Sequence, residues 1–438
     1  MTAISAGAAP TILGNEAQIS AEKMVIRLLH DPDIVALQDR IKAELATTPR
    51  GRTADGGDRI ETAVLQWTAG LIFDEINYAS RDNPAFVMGS DTAPRRWFGH
   101  TFPGNGKAGD NPDAIYRSTV LDGRGRYEVT GRIDPARPSA QLLFSVFAGT
   151  MTHPVAAKET EDTTSNPDAG IFRNLGNLDD TQLDIAADGS FRFLIGGEPQ
   201  DGVGHLPTEP APCSFGCRQM LLDWNTPPLR LSIRRLDCQP DAEIDIATVK
   251  QSVLADLAGV IGFWSNYPDV WLGGIKANCS APPGAREGGW GFIGGVHFKL
   301  EPGEAAVVTI HPGAAAYMGF QLTDPWMIAP DHGRNFTCLN RAQSVADTDG
   351  RYTYVISPVD PGTANWLDTC GMSEGMGLMR WQGFPGGASD NAGLFHDFRI
   401  VKLSEVAALE GVVRVTPEER SRQIAARKAS FFSRFSAV

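Results

Sequence analysis

Long apolar runs are missing from this sequence. No window approaches the ~18 consecutive apolar residues of a membrane span, so no membrane partner is expected. Met1 to Pro10 lack a basic start and an apolar stretch, so no secretory signal is expected. Positive charge is in deficit: 39 basic residues face 52 acidic ones, a net charge of −13 that argues against a nucleic-acid partner. Cysteine is sparse, with six residues (Cys213, Cys217, Cys238, Cys279, Cys338, Cys370) over 438 positions. A secreted disulfide scaffold is shorter and denser, so reduced thiols and a cytoplasmic location are expected. Cys213-x3-Cys217 lacks the two-residue spacing of zinc and redox pairs.

Several cofactor signatures are absent too. There is no Gly-x4-Gly-Lys-Ser/Thr loop, no Gly-x-Gly-x-x-Gly after a strand, no Gly-x-Ser-x-Gly elbow and no His-Glu-x-x-His. No cofactor and no metal are therefore expected. The eight histidines show no ligand-like spacing. The alternative is a site of two histidines and a carboxylate, with His297 and His311 meeting near strands.

What is present is turn chemistry and alternation. The chain has 47 Gly and 29 Pro, with 42% apolar and 21% charged residues, the composition of a globular protein with many turns. Asp31-Pro32 opens a helix carrying Ile34, Leu37, Ile41 and Leu45. A second helix aligns Ile60, Val64, Trp67 and Leu71, after a polar loop from Thr47 to Gly57. From Pro94 the period becomes two: Tyr127/Val129, Leu142/Phe144/Val146, Phe191/Phe193/Ile195 and Leu229/Leu231/Ile233 alternate with polar or opposite-facing residues. Asp-Gly steps at Asp122, Asp188 and Asp349 suit tight hairpin turns. Val249, Val253, Leu257, Val260 and Trp264 mark a further helix. Strands resume at Ala306–Ile310, Gly319–Leu322, Tyr352–Ser357 and Leu378–Trp381. Thr416-Pro417-Glu418-Glu419 is a capping box that opens a basic C-terminal helix, docked through Ile424 and Phe431. No internal repeat stands out.

The pattern predicts a mainly β protein with α additions: two antiparallel β-sandwich, jelly-roll-like regions with an N-terminal helical unit, a helical insertion and a C-terminal helix. The divisions expected are 1–93 (helical), 94–237 (first sandwich), 238–289 (helical insertion and linker), 290–413 (second sandwich) and 414–438 (basic helix). A basic helix against an acidic body predicts a homodimer or higher homo-oligomer.

Two segments combine acidic, amide, aromatic and guanidinium groups. One is Asp110-Asn111-Pro112-Asp113-Ala114-Ile115-Tyr116-Arg117, just before a strand. The other runs from Tyr317 to Trp381 and holds Gly319-Phe320-Gln321-Leu322, Asp324-x-Trp326, Asn340-Arg341, Asp360-Pro361-Gly362, Asn365-Trp366-Leu367-Asp368-Thr369 and Arg380. These motifs, with Thr416-Pro417-Glu418-Glu419-Arg420, resemble the bacterial proteins that carry domain of unknown function 1214. The resemblance implies β-sandwich domains with helical additions and implies no reaction. Cys370-Gly371-Met372 stands where relatives have a small residue and then Gly-His, so no histidine role carries over.

The pocket is expected where Asn111–Arg117 meets the Asp360–Asp368 loop, walled by Arg380 and Trp326. Arg117, Arg341 and Arg380 would hold an anion. Trp326 and Trp366 would pack a small-molecule substrate. Asn111, Tyr116, Gln321 and Asn365 would orient it, and Asp113 or Asp368 would act as acid or base. This describes a cofactor-independent lyase or hydrolase acting on a small organic substrate with an anionic or oxygenated group. The alternatives are a small-molecule or carbohydrate-binding sandwich without catalysis, and a scaffold in which Arg117 and Arg380 pair with Asp113 and Asp368.

Overall fold

Side-chain caps start two helices where the sequence expects them, at Asp31 and Thr416. In the computed structural model, which describes residues 11–155, 172–237, 243–271, 274–286, 290–387, 390–410 and 412–435, five α-helices appear. Helix α1 (Glu16–Leu29) starts at Asn15, which accepts from Gln18 N. Helix α2 (Pro32–Leu45) starts at Asp31 with proline at its first position. Helix α3 (Ala54–Ala79) starts at Thr53, which accepts from Gly56 N. The expected loop Thr47–Gly57 is therefore shorter, because the Thr53 hydroxyl caps a helix inside it. Helix α4 (Ile246–Trp271) and helix α5 (Pro417–Ser433) complete the set, α5 with both halves of the Thr416/Glu419 capping box.

Helices α1 to α4 share one core. Val25, Leu28, Ile34, Ile41, Val64 and Trp67 pack with Val249, Val253, Leu257 and Ile261. The N-terminal unit and the later helical insertion are thus one layer, although some 170 residues separate them. One expectation is corrected here. Over Ile246–Val270 α4 is long and apolar enough to cross a membrane, with mean hydropathy 1.3 and 28% of that stretch buried. Lys250, Gln251, Asp256 and Asn266 break the run, so a search for unbroken apolar stretches does not find it.

The strands begin with β1 (Val87–Ser90) and the hairpin β2 (Arg95–Trp97) and β3 (His100–Phe102). The first unit continues with β4 (Ala114–Asp122), β5 (Tyr127–Arg132), β6 (Gln141–Ala148), β7 (Arg173–Asp179), β8 (Ser190–Ile195), β9 (Gly204–Leu206), β10 (Pro212–Met220) and β11 (Arg230–Arg235). The second comprises β12 (Cys279–Ala285), β13 (Gly291–Lys299), β14 (Glu304–Ile310), β15 (Tyr317–Thr323), β16 (Cys338–Asn340), β17 (Tyr352–Ser357), β18 (Trp366–Asp368), β19 (Glu374–Gln382) and β20 (Phe395–Lys402).

The topology holds an internal repeat that the sequence analysis did not find. The first unit stacks sheets β1-β4-β10-β6-β7 and β11-β5-β8-β9. The second stacks β12-β13-β19-β15-β16 and β20-β14-β17-β18, the same order with every strand from β4 to β11 answered nine strands later. The two edge pairs β8–β9 and β17–β18 are parallel, and the other ladders are antiparallel. Each unit encloses its own core, around Phe144, Phe193 and Phe215 in the first and Phe320, Tyr354 and Trp381 in the second. Both are antiparallel β-sandwiches, as the period-two pattern requires. The Asp-Gly steps differ from expectation. Asp122-Gly123 joins β4 to β5, Asp188-Gly189 leads into β8, and Asp349-Gly350 leads into β17; each carries the chain from one sheet to the other, so none closes a hairpin. A positive φ serves any sharp reversal, and Gly189 and Gly350 both take φ +83°.

Where α1 meets the β2–β3 hairpin, Glu22 is wholly buried. Its carboxylate accepts from Arg95 Nε (2.9 Å) and Nη2 (2.5 Å), Trp97 Nε1 (2.7 Å), His100 Nε2 (2.6 Å) and Gln18 Nε2 (2.9 Å). Burial pushes this carboxyl up, but the Arg95 charge and the donors from His100, Trp97 and Gln18 outweigh it and hold it at about 2, below its ordinary 4.5. A depressed native value means that the ionised group stabilises the fold above pH 4.5 and loses that contribution as pH falls toward 2. The contribution is roughly 3 kcal/mol. Glu22→Gln is expected to unfold at lower urea than the parent at pH 7, with the gap closing between pH 4.5 and 2. Midpoints measured across that range check this, and a gap independent of pH rejects it.

Candidate functional site

The Asn111–Asp113 turn sits at the seam between the two sandwiches. Asn111 Oδ1 accepts from Asp113 N (3.1 Å), which fixes the turn just before β4. Asp113 is 1% exposed and fully engaged. Its Oδ1 accepts from Trp224 Nε1 (2.7 Å) and Asn340 Nδ2 (3.0 Å), and its Oδ2 from the Tyr317 hydroxyl (2.7 Å). Asn111 Nδ2 also donates to the Tyr317 oxygen at 2.9 Å. Burial pushes the Asp113 carboxyl up, and the Tyr317, Trp224 and Asn340 donors pull it partly back. Gly319 is part of this fit, because a Cβ there would lie 1.9 Å from the Tyr317 hydroxyl oxygen. Two donors come from the second sandwich, so Asp113 ties the units together.

Beside this knot is a small polar cavity lined by Ser90, Asp91, Thr92, Asp110, Asn111, Pro112, Ala114, His332 and Arg434. About 10 Å³ of it is open to the centre of a water, room for about one molecule. Asp91 and Asp110 are both raised, by burial first. Asp110 Oδ2 accepts from Lys107 N (2.6 Å) and Asp91 Oδ1 from Ala93 N (2.9 Å). His332 is held well below its ordinary value, first by burial and then by the charges of Arg434 and Arg427. Its Nδ1 lies 3.3 Å from Pro330 O, which assigns the proton to Nδ1, and Nε2 faces Asp91 Oδ1 at 4.0 Å. Arg434 is 5% exposed, and its Nε and Nη2 have no hydrogen-bond partner among the described residues. A neutral imidazole, two carboxyls shifted toward their protonated form and an unsatisfied guanidinium thus share one enclosed space.

Helix α5 closes that space. Arg420, Arg427 and Arg434 recur every seven residues and fall on one buried face. Arg420 bonds Asp360 and lies over Phe336 and Trp366. Arg427 donates to His332 O and Asn335 O and lies 4.3 Å from the Trp224 ring centroid. Phe431 and Phe435 pack on Trp97 and Trp224. Phe431 is buried as expected, whereas Ile424 is 37% exposed, because the arginine face is the docking face. Guanidiniums can dock this way by stacking on aromatic rings.

The sequence candidates separate into four places. Asn111, Asp113, Tyr116, Gln321 and Arg380 come together at the seam. Gln321 Nε2 donates to Asp110 O (2.7 Å), Arg380 Nη1 to Gln321 Oε1 (2.6 Å) and Arg380 Nη2 to Gly109 O. The Tyr116 hydroxyl accepts from Asn111 N at 3.1 Å. Arg117 points to the opposite face of β4, into the first sandwich, and bonds Leu229 O (2.6 Å). Trp326 lies in the helical core, edge-on to Trp67 and donating to Gly56 O. Arg341, Asn365, Trp366 and Asp368 stay in the second unit. Arg341 bonds Ala315 O, Asn365 bonds Val345 O and Thr353 O, Trp366 bonds Ser357 O, and Asp368 accepts from Cys370 N. The Asp360–Asp368 loop therefore meets α5 rather than the Asn111–Arg117 segment. Neither arginine pairs with the aspartate suggested for it: Arg117 bonds a carbonyl and Arg380 an amide and a carbonyl. His297 pairs with Glu374, while His311 lies beside His396, so the two do not form the alternative metal pair. Among the described residues no group of three or more His, Cys, Asp or Glu is placed to hold a metal.

Asp91, Trp224, His332, Arg427 and Arg434 escaped the sequence analysis as site residues, and Asp110 opened the singled-out segment without being given a role. For the arginines a signal existed in their seven-residue spacing. A larger surface depression of about 310 Å³, lined by Val345, Ala364, Val413, Arg414 and the start of α5, holds no buried titratable group and lies apart from this chemistry.

Among solved structures, the fold is similar to that of an uncharacterized protein from Burkholderia cenocepacia. The TM-score is 0.68 at 23% identity, over 88% of this chain and 100% of that one. A protein from Vibrio parahaemolyticus aligns over 78% of this chain and 99% of its own at 12% identity, with a TM-score of only 0.39. No family model and no curated protein matches the chain. The likeness is one of fold, a β-sandwich protein of unknown function.

The Asp113 network makes a prediction about stability. Asp113→Ala leaves Trp224, Tyr317 and Asn340 without their acceptor and is expected to cost about 3–5 kcal/mol. Asp113→Asn keeps an acceptor for Trp224 and Asn340 and is expected to cost about 1–2 kcal/mol. Urea unfolding followed by tryptophan fluorescence measures both, and two equal, small losses would remove Asp113 from this role.

Proposed function

We propose that the chain is a cofactor-independent enzyme of the lyase or hydrolase type, acting on a small organic substrate with an anionic or oxygenated group, and that its reactive centre is the junction cavity. One observation carries the reading: Asp91, Asp110, neutral His332 and the unsatisfied Arg434 guanidinium line the same water-sized space. Buried carboxyls and imidazoles whose proton affinities are displaced in opposite senses form an acid–base pair. In this reading Asp110 holds the proton to be delivered, and His332 Nε2 takes one up. The free Nε and Nη2 of Arg434 receive a substrate oxygen. Entry requires the end of α5 to swing aside, since Arg434 forms part of the wall and Phe431 packs on His332. Membership of the family with domain of unknown function 1214 and a cytoplasmic location belong to the same reading.

The carbohydrate alternative has less support. Trp326 and Trp366 are 1% and 7% exposed, so neither offers a flat face for a sugar ring.

Turnover of a panel of small carboxylic acids, hydroxy acids and their esters, followed by proton NMR with purified protein, tests the proposal. The expected result is consumption of at least one compound, with Asp110→Asn reducing the rate ~100-fold while the melting temperature holds. Ligand-induced stabilisation without consumption of any compound would favour a binding protein. Unchanged turnover in both Asp110→Asn and His332→Gln would exclude the cavity as the centre.

A further inference from the structure

The internal repeat aligns two arginines. In β10, Arg218 lies opposite Tyr116 of β4 and Leu143 of β6. In β19, Arg380 lies opposite Ile293 of β13 and Gly319 of β15. Both registers count two residues back from the pair that begins β4 or β13, Met220 with Ala114 and Gln382 with Gly291. The two arginines are therefore counterparts at the centre of the two five-stranded sheets. The faces that carry them meet at the seam, where Tyr317 packs with Ala114 and Met220.

Among the described residues neither arginine has a carboxylate partner. Arg380 donates only to the neutral Gln321 Oε1 and Gly109 O. Arg218 has no hydrogen bond or ion pair among the described residues; its guanidinium rests 5.2 Å from the Trp290 ring centroid, and Arg286 lies 5.1 Å from the same ring. Burial comes first among the causes that pull Arg218 below its ordinary value, and the charges of Arg286 and Arg380 add to it. Arg380 is pulled down by burial and by Arg286 in turn. Asp110 is the nearest counter-charge acting on Arg380, and burial shifts that carboxyl toward its neutral form. Holding Arg218 and Arg380 partly out of water, with no carboxylate partner among the described residues, opposes folding. Aromatic and carbonyl contacts hold the forks in place but leave the charge uncompensated.

We propose that Arg218 and Arg380, with Tyr116 opposite Arg218 in the β4–β10 ladder, form a binding site for a compact doubly charged oxyanion, the group shared by a phosphate monoester and a small dicarboxylate. Two planar forks from facing sheets suit the several oxygens of such a group. Arg218, Tyr116 and Arg380 lie outside the residues that line the junction cavity, and the site does not depend on catalysis there.

Calorimetry on the full chain at constant ionic strength, with inorganic phosphate and malonate as separate probes and chloride as the balancing salt, tests this. The expected result is saturable one-to-one binding of at least one probe, and the arm that binds names the source. Arg218→Ala is expected to weaken it at least tenfold, and Arg218→Lys to weaken it while keeping the charge. Arg192→Ala, at an exposed arginine paired with Glu128, is expected to bind as the parent does. Without anion, Arg218→Ala is expected to melt no lower than the parent, because it removes a repelled charge. A markedly lower melting temperature for both Arg218 variants would make the residue structural and overturn the proposal. Absence of saturable binding of either probe, or equal binding by Arg218→Ala, would overturn it as well. Loss of anion binding with Asp110-dependent turnover intact would leave the junction-cavity reading standing.

Discussion

The arrangement of the whole molecule depends on one buried carboxylate. Asp113 sits at the start of the first sandwich's central ladder and takes its donors from Trp224, Tyr317 and Asn340. A carboxylate withdrawn from water is stable only when its lone pairs are filled. Filling them here requires the second sandwich to stand at one distance and one angle. The same requirement places Gln321 on Asp110 O and Arg380 on Gly109 O, and so sets the seam on which both proposed sites lie.

A second constraint runs through α5. A helix with arginines every seven residues has one strongly charged stripe, and the natural expectation is that this stripe faces water. Here the stripe faces inward. Phe336, Trp366, Trp224 and Phe431 meet the flat guanidinium faces, while carbonyls and Asp360 take their edges. Arg434 is the member whose edge is not fully taken, and its open side is the one that lines the cavity. Docking the helix and building the polar cavity are therefore one event. The acidic body and basic helix need no second subunit to account for their contact.

The repeat shows how strongly topology outlives sequence. Both units enclose an aromatic core between a five-stranded and a four-stranded sheet. In the register that matches Arg218 to Arg380, Phe144 matches Phe320, whereas Phe215 matches Gly377 and Gln219 matches Trp381, so the two cores are filled largely from different positions. Alternation and volume are all that a sandwich core asks of its residues. A shared residue such as Arg218 and Arg380 stands out for that reason, since packing alone does not demand arginine there.

Much of the fold was legible in the sequence because it rests on local chemistry. Asp31-Pro32 and the Thr416 capping box start helices through bonds within four residues, and period-two alternation marks Tyr127–Val129 or Phe191–Ile195 as strand wherever the strand later pairs. Asn111, Asp113, Tyr116, Gln321 and Arg380 were also legible as a group of unusual composition, and they do converge. The rest belonged to the tertiary structure. Asp-Gly at Asp122, Asp188 and Asp349 reports a sharp reversal but not whether the chain returns to the same sheet or crosses to the other. Trp326 and Arg117 carry the same chemistry as their neighbours and were sent to separate cores by the side of the strand or turn on which they fall. Asp91, His332 and Arg434 are ordinary surface residue types in sequence, 343 positions apart from first to last. Only the folding of α5 back over the seam takes them out of water, and that desolvation, which no local pattern encodes, is what shifts their proton affinities.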